Sequence, residues 1–255
     1  MILAIDIGNS NVVFGLSYHN EWVRIWRIET NREKSVHYYQ MQLSSLFLEE
    51  DIDPTQIDKI VLSSVVPDLT NKFLDFLQPI NASKFILLNH LVYQQLKVST
   101  SNPYELGTDL MANAVAANHL FRSNTIIVDF GTALTFTLVR DDGSIEGVNI
   151  LPGIKTAIRS LSLNTAQLQE VILEYPLQIL GKNTVEAIQN GVLIGYTGLV
   201  KYMIESIEKH YGIQCKTIAT GGLAGILTQL KFDLIDKNLT LNGLRWVAEN
   251  VQNPI

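Results

Sequence analysis

The chain has 255 residues, 47% of them hydrophobic and 17% charged, with a net charge of −6 and a pI near 5.4. That length and apolar share support one large or two ordinary domains with real cores, and the low charged fraction points to extensive burial. The acidic balance, with Lys and Arg scattered rather than clustered, excludes a nucleic-acid or anionic-membrane surface as the working partner. The one cysteine, Cys215, excludes an intramolecular disulfide framework and a Cys-based zinc site, and it suits a reduced, cytoplasmic setting. "MILAIDIGN" has no basic leader and its apolar run stops at Asp6, so no signal peptide is expected. No apolar stretch reaches the length of a membrane span.

In chain order, "MILAI" (1–5) reads as a buried strand. "NVVFGLSY" (11–18) and "EWVRIWRIE" (21–29), joined at His19-Asn20, extend it into an antiparallel meander. Residues 35–50 have helical spacing, with Tyr39, Leu43, Leu46 and Phe47 on one face. "KIVLSSVVP" (59–67) reads as a buried strand closed by Pro67, with Asp68 as the cap of a helix over 69–77. "KFILL" (84–88) is a further strand, and an Ala-rich helix follows Gly107.

The pattern then restarts. Residues 124–151 read as strand, strand, a turn at Asp142-Gly143 and a third strand. Helices are expected over about 153–162, 184–209 and 240–251, and "KTIAT" (216–220) is a strand running into Gly221-Gly222. "LAIDIGNSNVVFGL" (3–16) aligns with "IIVDFGTALTFTLV" (126–139), about half the chain apart. That period is too long for a solenoid. The simpler expectation is a duplicated α/β protein, with one domain over 1–118, a second over 119–255, and a cleft between them.

Four turns carry the chemistry. In Asp6-Ile7-Gly8-Asn9-Ser10-Asn11, a carboxylate ends a buried strand, where it is costly unless something pairs with it. Gly8 lets the backbone bend, the N–H groups after it can form an anion nest, and Asn9, Ser10 and Asn11 add donors. Asp6 could hold Mg²⁺ through water; a plain hairpin turn capped by Asp6 accounts for the same residues. Asp129-Phe130-Gly131-Thr132 repeats the arrangement, with Thr132 and Thr135 supplying hydroxyls. In "ATGGLAG" (219–225), Gly221 and Gly222 let backbone approach a ligand closely, or simply turn strand into helix. The serines of "SSVVP" (63–67) either serve a ligand or close a strand, and closure is the expected role.

The chain has no G-x-x-x-x-G-K-[ST] loop, no G-x-G-x-x-G, no H-E-x-x-H and no G-x-S-x-G. The five histidines are scattered, and Trp22, Trp26 and Trp246 sit at core-like positions. Asp109, at the mouth of the Ala-rich helix, has two readings. It favours the helix dipole, worth ~0.3–1 kcal/mol, or it handles a proton.

Taken in order, "DIGNSN", "SSVVP", "NPYELGTD" with "NAVAA", "DFGTALTF", "LPGI", "LNTAQL", "GKNTVEAIQNG" and "ATGGLA" resemble the type III pantothenate kinase family. That family belongs to the acetate/sugar kinase–Hsc70–actin superfamily of duplicated ribonuclease H-like domains with mixed sheets. The resemblance implies ATP-dependent phosphorylation of pantothenate, the first step of coenzyme A synthesis. It also implies Mg²⁺, K⁺ or NH₄⁺, a homodimer and a cytoplasmic location. Carried over by position, Asp6, Ile7, Gly8, Asn9, Ser10, Asn11, Val12 and Val13 should cradle the ATP phosphates with help from Thr132, and Gly221 and Gly222 should lie against the nucleotide. Asp129 should ligate the monovalent cation and Asp6 Mg²⁺ through water. Asp109 should be the general base, and Thr100, Gly107, Thr108, Asp109, Leu110 and Thr184 should face pantothenate.

The acceptor side departs from the family pattern. G-A-D-R is usual where Gly107-Thr108-Asp109-Leu110 stands here, and a Tyr is usual at Thr100. Glu146-Gly147 also replaces a common glycine pair. The leucine side chain donates no hydrogen bond, so losing the Arg contact to the pantothenate carboxylate should cost ~1.5–3 kcal/mol, or roughly ten- to hundredfold in affinity. Lys155 or Arg159, on the helix after "LPGI", is the candidate substitute. A kinase for another small hydroxy compound, or an ATP-binding regulator without catalysis, is the alternative reading.

Overall fold

The computed structural model describes residues 1–81, 85–163, 171–175 and 178–251. Most of "LNTAQL" lies outside them. The chain divides into two compact units. One gathers Met1–His119 with the C-terminal helix, the other spans Leu120–Asn238.

The first unit opens with β1 (Ile2–Ile7), β2 (Asn11–Tyr18) and β3 (Glu21–Glu29), paired antiparallel as a meander. His19 and Asn20 join β2 to β3 with φ of 47° and 65°, both left-handed, as a two-residue turn matched to strand twist requires. α1 (Val36–Glu49) follows, its N-terminus capped by the Ser35 hydroxyl. β4 (Lys59–Ser64) then pairs parallel with β1, and β5 (Phe85–Leu87) parallel with β4. The sheet order is β3-β2-β1-β4-β5.

α2 (Pro67–Asn81) starts earlier than its sequence suggested. Pro67 does not close the strand; it opens the helix, where its fixed φ and missing N–H are no handicap. Asp68 therefore sits inside the first turn instead of capping it. Short α3 (His90–Tyr93) and β6 (Ser99–Thr100) lead to α4 (Thr108–Phe121), and α7 (Leu239–Asn250) returns to this unit.

Strand periodicity sorts the two faces of this sheet. Leu3, Ile5, Ile7, Ile60 and Leu62 point into a core shared with Tyr39, Phe47, Leu69 and Phe73. The alternate positions, Ala4, Asp6, Val61 and Ser63, point to the face on which α7 packs. α7 crosses α4 so closely that a Cβ on Gly243 would fall 2.5 Å from the Ala112 carbonyl carbon.

The second unit repeats this connectivity. β7 (Thr125–Phe130), β8 (Ala133–Val139) and β9 (Ser144–Pro152) form an antiparallel meander. After α5 (Ile154–Leu163) and α6 (Thr184–Tyr211), β10 (Lys216–Thr220) pairs parallel with β7 and β11 (Leu234–Ile235) parallel with β10. Among this unit's own strands the order β11-β10-β7-β8-β9 repeats that of the first unit. The duplication read from the two Asp-x-Gly stretches is thus present in the topology. The copies differ by one residue at the turn. Gly8–Ser10 separate β1 from β2, whereas Gly131–Thr132 separate β7 from β8.

Candidate active site

In the first unit, the β1–β2 turn is drawn tight by the Gly8 N–H donating to the Asn11 carbonyl at 2.9 Å. A Cβ on Gly8 would sit 3.2 Å from that oxygen, a tight contact that glycine avoids. The segment after β3 braces the turn from outside. Thr30 donates its hydroxyl to the Gly8 carbonyl at 2.7 Å and its N–H to the Ser10 carbonyl at 3.0 Å. Asn9 and Ser10 stay exposed, while Val12 and Val13 are buried and anchor the turn in the sheet.

Asp6 ends this strand on the face opposite the core. It lies opposite Ser63 in the parallel β1–β4 register, which points both side chains the same way. Ser63, with no exposed surface, donates its hydroxyl to Asp6 Oδ1 at 3.0 Å. The Thr108 hydroxyl lies 2.9 Å from Ser63 Oγ, accepts the Ser64 N–H at 3.0 Å and reaches the Ser64 carbonyl at 3.1 Å. Each hydroxyl has one proton. With Ser63 giving its proton to Asp6, that of Thr108 goes to Ser63 or to Ser64. The expectation that the serines of "SSVVP" merely close a strand is therefore corrected. Ser63 and Ser64 tie three motifs together: the Asp6 turn, the end of β4 and the first residue of α4.

One residue beyond Thr108 stands Asp109, half-buried. Its Oδ1 accepts the Leu110 N–H at 2.8 Å. Burial pushes its carboxyl above the usual carboxylate range, and the hydrogen bond from Leu110 only partly opposes this. Gly107 makes room for it, since a Cβ there would lie 2.6 Å from Asp109 Oδ1. Tyr93, which the sequence did not single out, is nearly buried nearby and donates to the Leu106 carbonyl at 3.4 Å. Burial raises its hydroxyl pKa, and the Asp109 charge adds to the rise. Thr100 lies in β6 and accepts the Asn102 N–H at 3.3 Å.

In the second unit, Asp129 lies opposite Thr135 on β8 and Thr220 on β10. The Thr135 hydroxyl is buried with no hydrogen-bond partner among the described residues. A buried oxygen donor across from a carboxylate suits a weakly hydrated cation, so these residues fit one. Gly221 closes over the same carboxylate with φ of 89°. Gly222 is exposed, with open space where a Cβ would stand. The Thr132 carbonyl accepts the Gly153 N–H at 3.0 Å and the Thr156 hydroxyl at 2.6 Å, which couples "DFGT" to "LPGI". Thr184 is the first residue of α6, next to an Asn183 cap that accepts the Glu186 N–H at 3.0 Å. Glu186 answers by accepting the Lys182 N–H at 2.8 Å, so much of "GKNTVE" serves to start the helix. Lys155 and Arg159 are exposed on α5. Among the described residues, no three His, Cys, Asp or Glu side chains gather as a metal cage.

The chain is similar to known proteins along most of its length. The profile of the type III pantothenate kinase family matches residues 2–206. The chain is 39% identical to the type III pantothenate kinase of Treponema pallidum (strain Nichols), over 98% of this chain and 94% of that protein. It is 35% identical to that of Brevibacillus brevis, over 99% and 100%. Among solved structures, it is similar to a Campylobacter jejuni protein described as a Baf-family transcriptional activator, with a TM-score of 0.62 at 22% identity over 97% of each chain. A Sinorhizobium meliloti protein described as a 2-dehydro-3-deoxygalactonokinase gives a TM-score of 0.60 at 12% identity over 99% of each. These last two likenesses concern the fold alone.

Proposed function

The chain belongs to the type III pantothenate kinase family, and from that premise we propose that it transfers the terminal phosphoryl group of ATP to the primary hydroxyl of pantothenate. The products are ADP and 4'-phosphopantothenate, the first intermediate of coenzyme A synthesis. The observation that carries the reading is the hydrogen-bonded chain from Asp6 through Ser63 to Thr108. It supports the reading by tying the strand that leads into the β1–β2 turn to the first residue of α4, where the neighbouring Asp109 has its proton affinity raised by burial.

Phosphoryl transfer asks the protein for in-line positioning and compensation of phosphate charge rather than covalent chemistry. The β1–β2 turn meets the phosphates with backbone N–H groups and the Asn9 and Ser10 side chains. Asp109 accepts the hydroxyl proton while the alcohol oxygen bonds to phosphorus and the bond to ADP breaks. A raised proton affinity suits a base that must hold this proton. Asp6 would hold Mg²⁺ through water, and Asp129 with Thr135 would hold K⁺ or NH₄⁺; the two ions would supply positive charge that a chain without a P-loop lysine lacks. Thr132, Gly221 and Gly222 are assigned to the nucleotide, and Gly107, Thr108, Leu110, Thr100 and Thr184 to the acceptor.

A coupled ADP-release assay with pantothenate, Mg·ATP and K⁺ tests the activity. Turnover should need the acceptor and fall when Na⁺ replaces K⁺; ATP binding without acceptor-dependent ADP release would refute it. Leu110→Arg should lower the pantothenate KM roughly tenfold or more by restoring a charged hydrogen bond. No gain would mean that the carboxylate is met elsewhere, with Lys155 and Arg159 the residues to replace next. A homodimer in the cytoplasm completes the reading. Ala187, Gly191, Ile194, Gly195, Gly198 and Tyr202 make an exposed, uncharged face along α6. Sedimentation at monomer mass would remove the dimer.

A further inference from the structure

The chain has no P-loop lysine, so a side-chain cation that joins the proposed metal ions at the phosphates has to come from another element. One residue in the first unit is built for that place. Arg32 follows β3 and donates from Nη2 to the Asn9 side-chain oxygen at 2.8 Å. Its backbone is held in position from three sides. Thr30 is bonded to Gly8 and Ser10 of the turn. Asn31 is gripped at both backbone groups by the buried Tyr39 hydroxyl, which accepts its N–H at 2.8 Å and donates to its carbonyl at 2.9 Å. Lys72 of α2 donates to the Arg32 carbonyl at 3.3 Å and adds a second positive charge.

The guanidinium itself is exposed, and among the described residues it joins no ion pair. The bond to Asn9 uses one of its five N–H donors and leaves a planar fork for an oxyanion. Arginine held this way loses little entropy when it binds phosphate in two-pronged fashion. The β1–β2 turn that carries Asn9 is one residue longer than its copy in the second unit.

We propose that the Arg32 guanidinium, docked on Asn9, is the cation with which this chain grips the β- and γ-phosphates of ATP. The inference rests on the reading of the β1–β2 turn as the phosphate site. Binding of ATP, ADP and AMP in Mg²⁺ should be measured by calorimetry for the wild type, Arg32→Ala, Arg32→Lys and Ser10→Asp. Arg32→Ala should weaken ATP roughly tenfold or more, ADP less, and AMP not at all, with Arg32→Lys recovering part of the loss. Equal weakening of all three nucleotides, or none, would overturn the role of Arg32. If Ser10→Asp, which sets a negative charge in the turn, abolishes ATP binding while Arg32→Ala does not, the inference alone fails. If Ser10→Asp binds ATP as the wild type does, the phosphate site beneath it fails too.

Discussion

Asp109→Asn is expected to lower kcat by about 10²- to 10⁴-fold, the usual contribution of a positioned general base, with ATP binding retained. Asparagine keeps the shape and still accepts the Leu110 N–H that Asp109 Oδ1 holds at 2.8 Å, but it cannot take up the proton. Burial raises the Asp109 pKa, and only the deprotonated form is a base. In the wild type, kcat/KM should therefore fall as pH drops through that raised pKa, with an acid limb above the ordinary carboxylate value of about 3.9. Stability should respond in the opposite sense. A carboxyl whose folded pKa is raised stabilises the fold fully below its unfolded pKa, and that contribution is lost as pH rises through the folded pKa. At neutral pH the charged form is a burden, so Asp109→Asn should melt at or above the wild-type temperature. A variant with intact kcat would remove Asp109 as base. One that melts well below the wild type would make it a structural helix starter.

Gly221→Ala should destabilise the second unit. The residue holds φ of 89°, a conformation that costs any L side chain about 1–2 kcal/mol. The added Cβ would also fall 2.5 Å from Asp129 Oδ1 and 2.7 Å from the Phe130 carbonyl carbon. Overpacking against backbone adds about 1–3 kcal/mol, for a total loss of about 2–5 kcal/mol. The carboxylate assigned to the monovalent cation would be pushed aside, so the response to K⁺ should weaken with the stability. Gly222→Ala is the control, because its Cβ would meet nothing within 4 Å. Denaturant midpoints should drop for the first variant and stay near wild type for the second. Equal losses in both would mean that the crowding around Asp129 is not what Gly221 relieves.

Asp109 and Gly221 were singled out through the family resemblance, since each alone also reads as an ordinary helix start or strand-to-helix turn; the two Asp-x-Gly turns were legible by themselves. Aspartate at the end of an apolar strand, followed two residues later by glycine, has few structural uses, and the chain contains two copies. The long strands and helices were equally legible from their periodicity. Ser63 was not. Its role depends on lying opposite Asp6 across a parallel pair that is more than fifty residues apart in sequence, and register between distant strands leaves no local trace. Tyr93 and Arg32 were missed for similar reasons. One stands on a four-residue helix too short to show a period. The other looks like an ordinary loop cation until Thr30 and Tyr39 are seen to fasten its neighbours. The placement of α7 against β1 and β4 was also hidden, since an amphipathic C-terminal helix does not announce which sheet it covers.

The measurement that bears most directly on this account is a crystal structure of the chain with Mg²⁺ and a non-hydrolysable ATP analogue. The phosphates should lie against Gly8, Asn9 and Ser10, with the terminal phosphate on the side of the Asp109 carboxylate. Nucleotide seated away from that turn, or with its terminal phosphate directed away from Asp109, would contradict it.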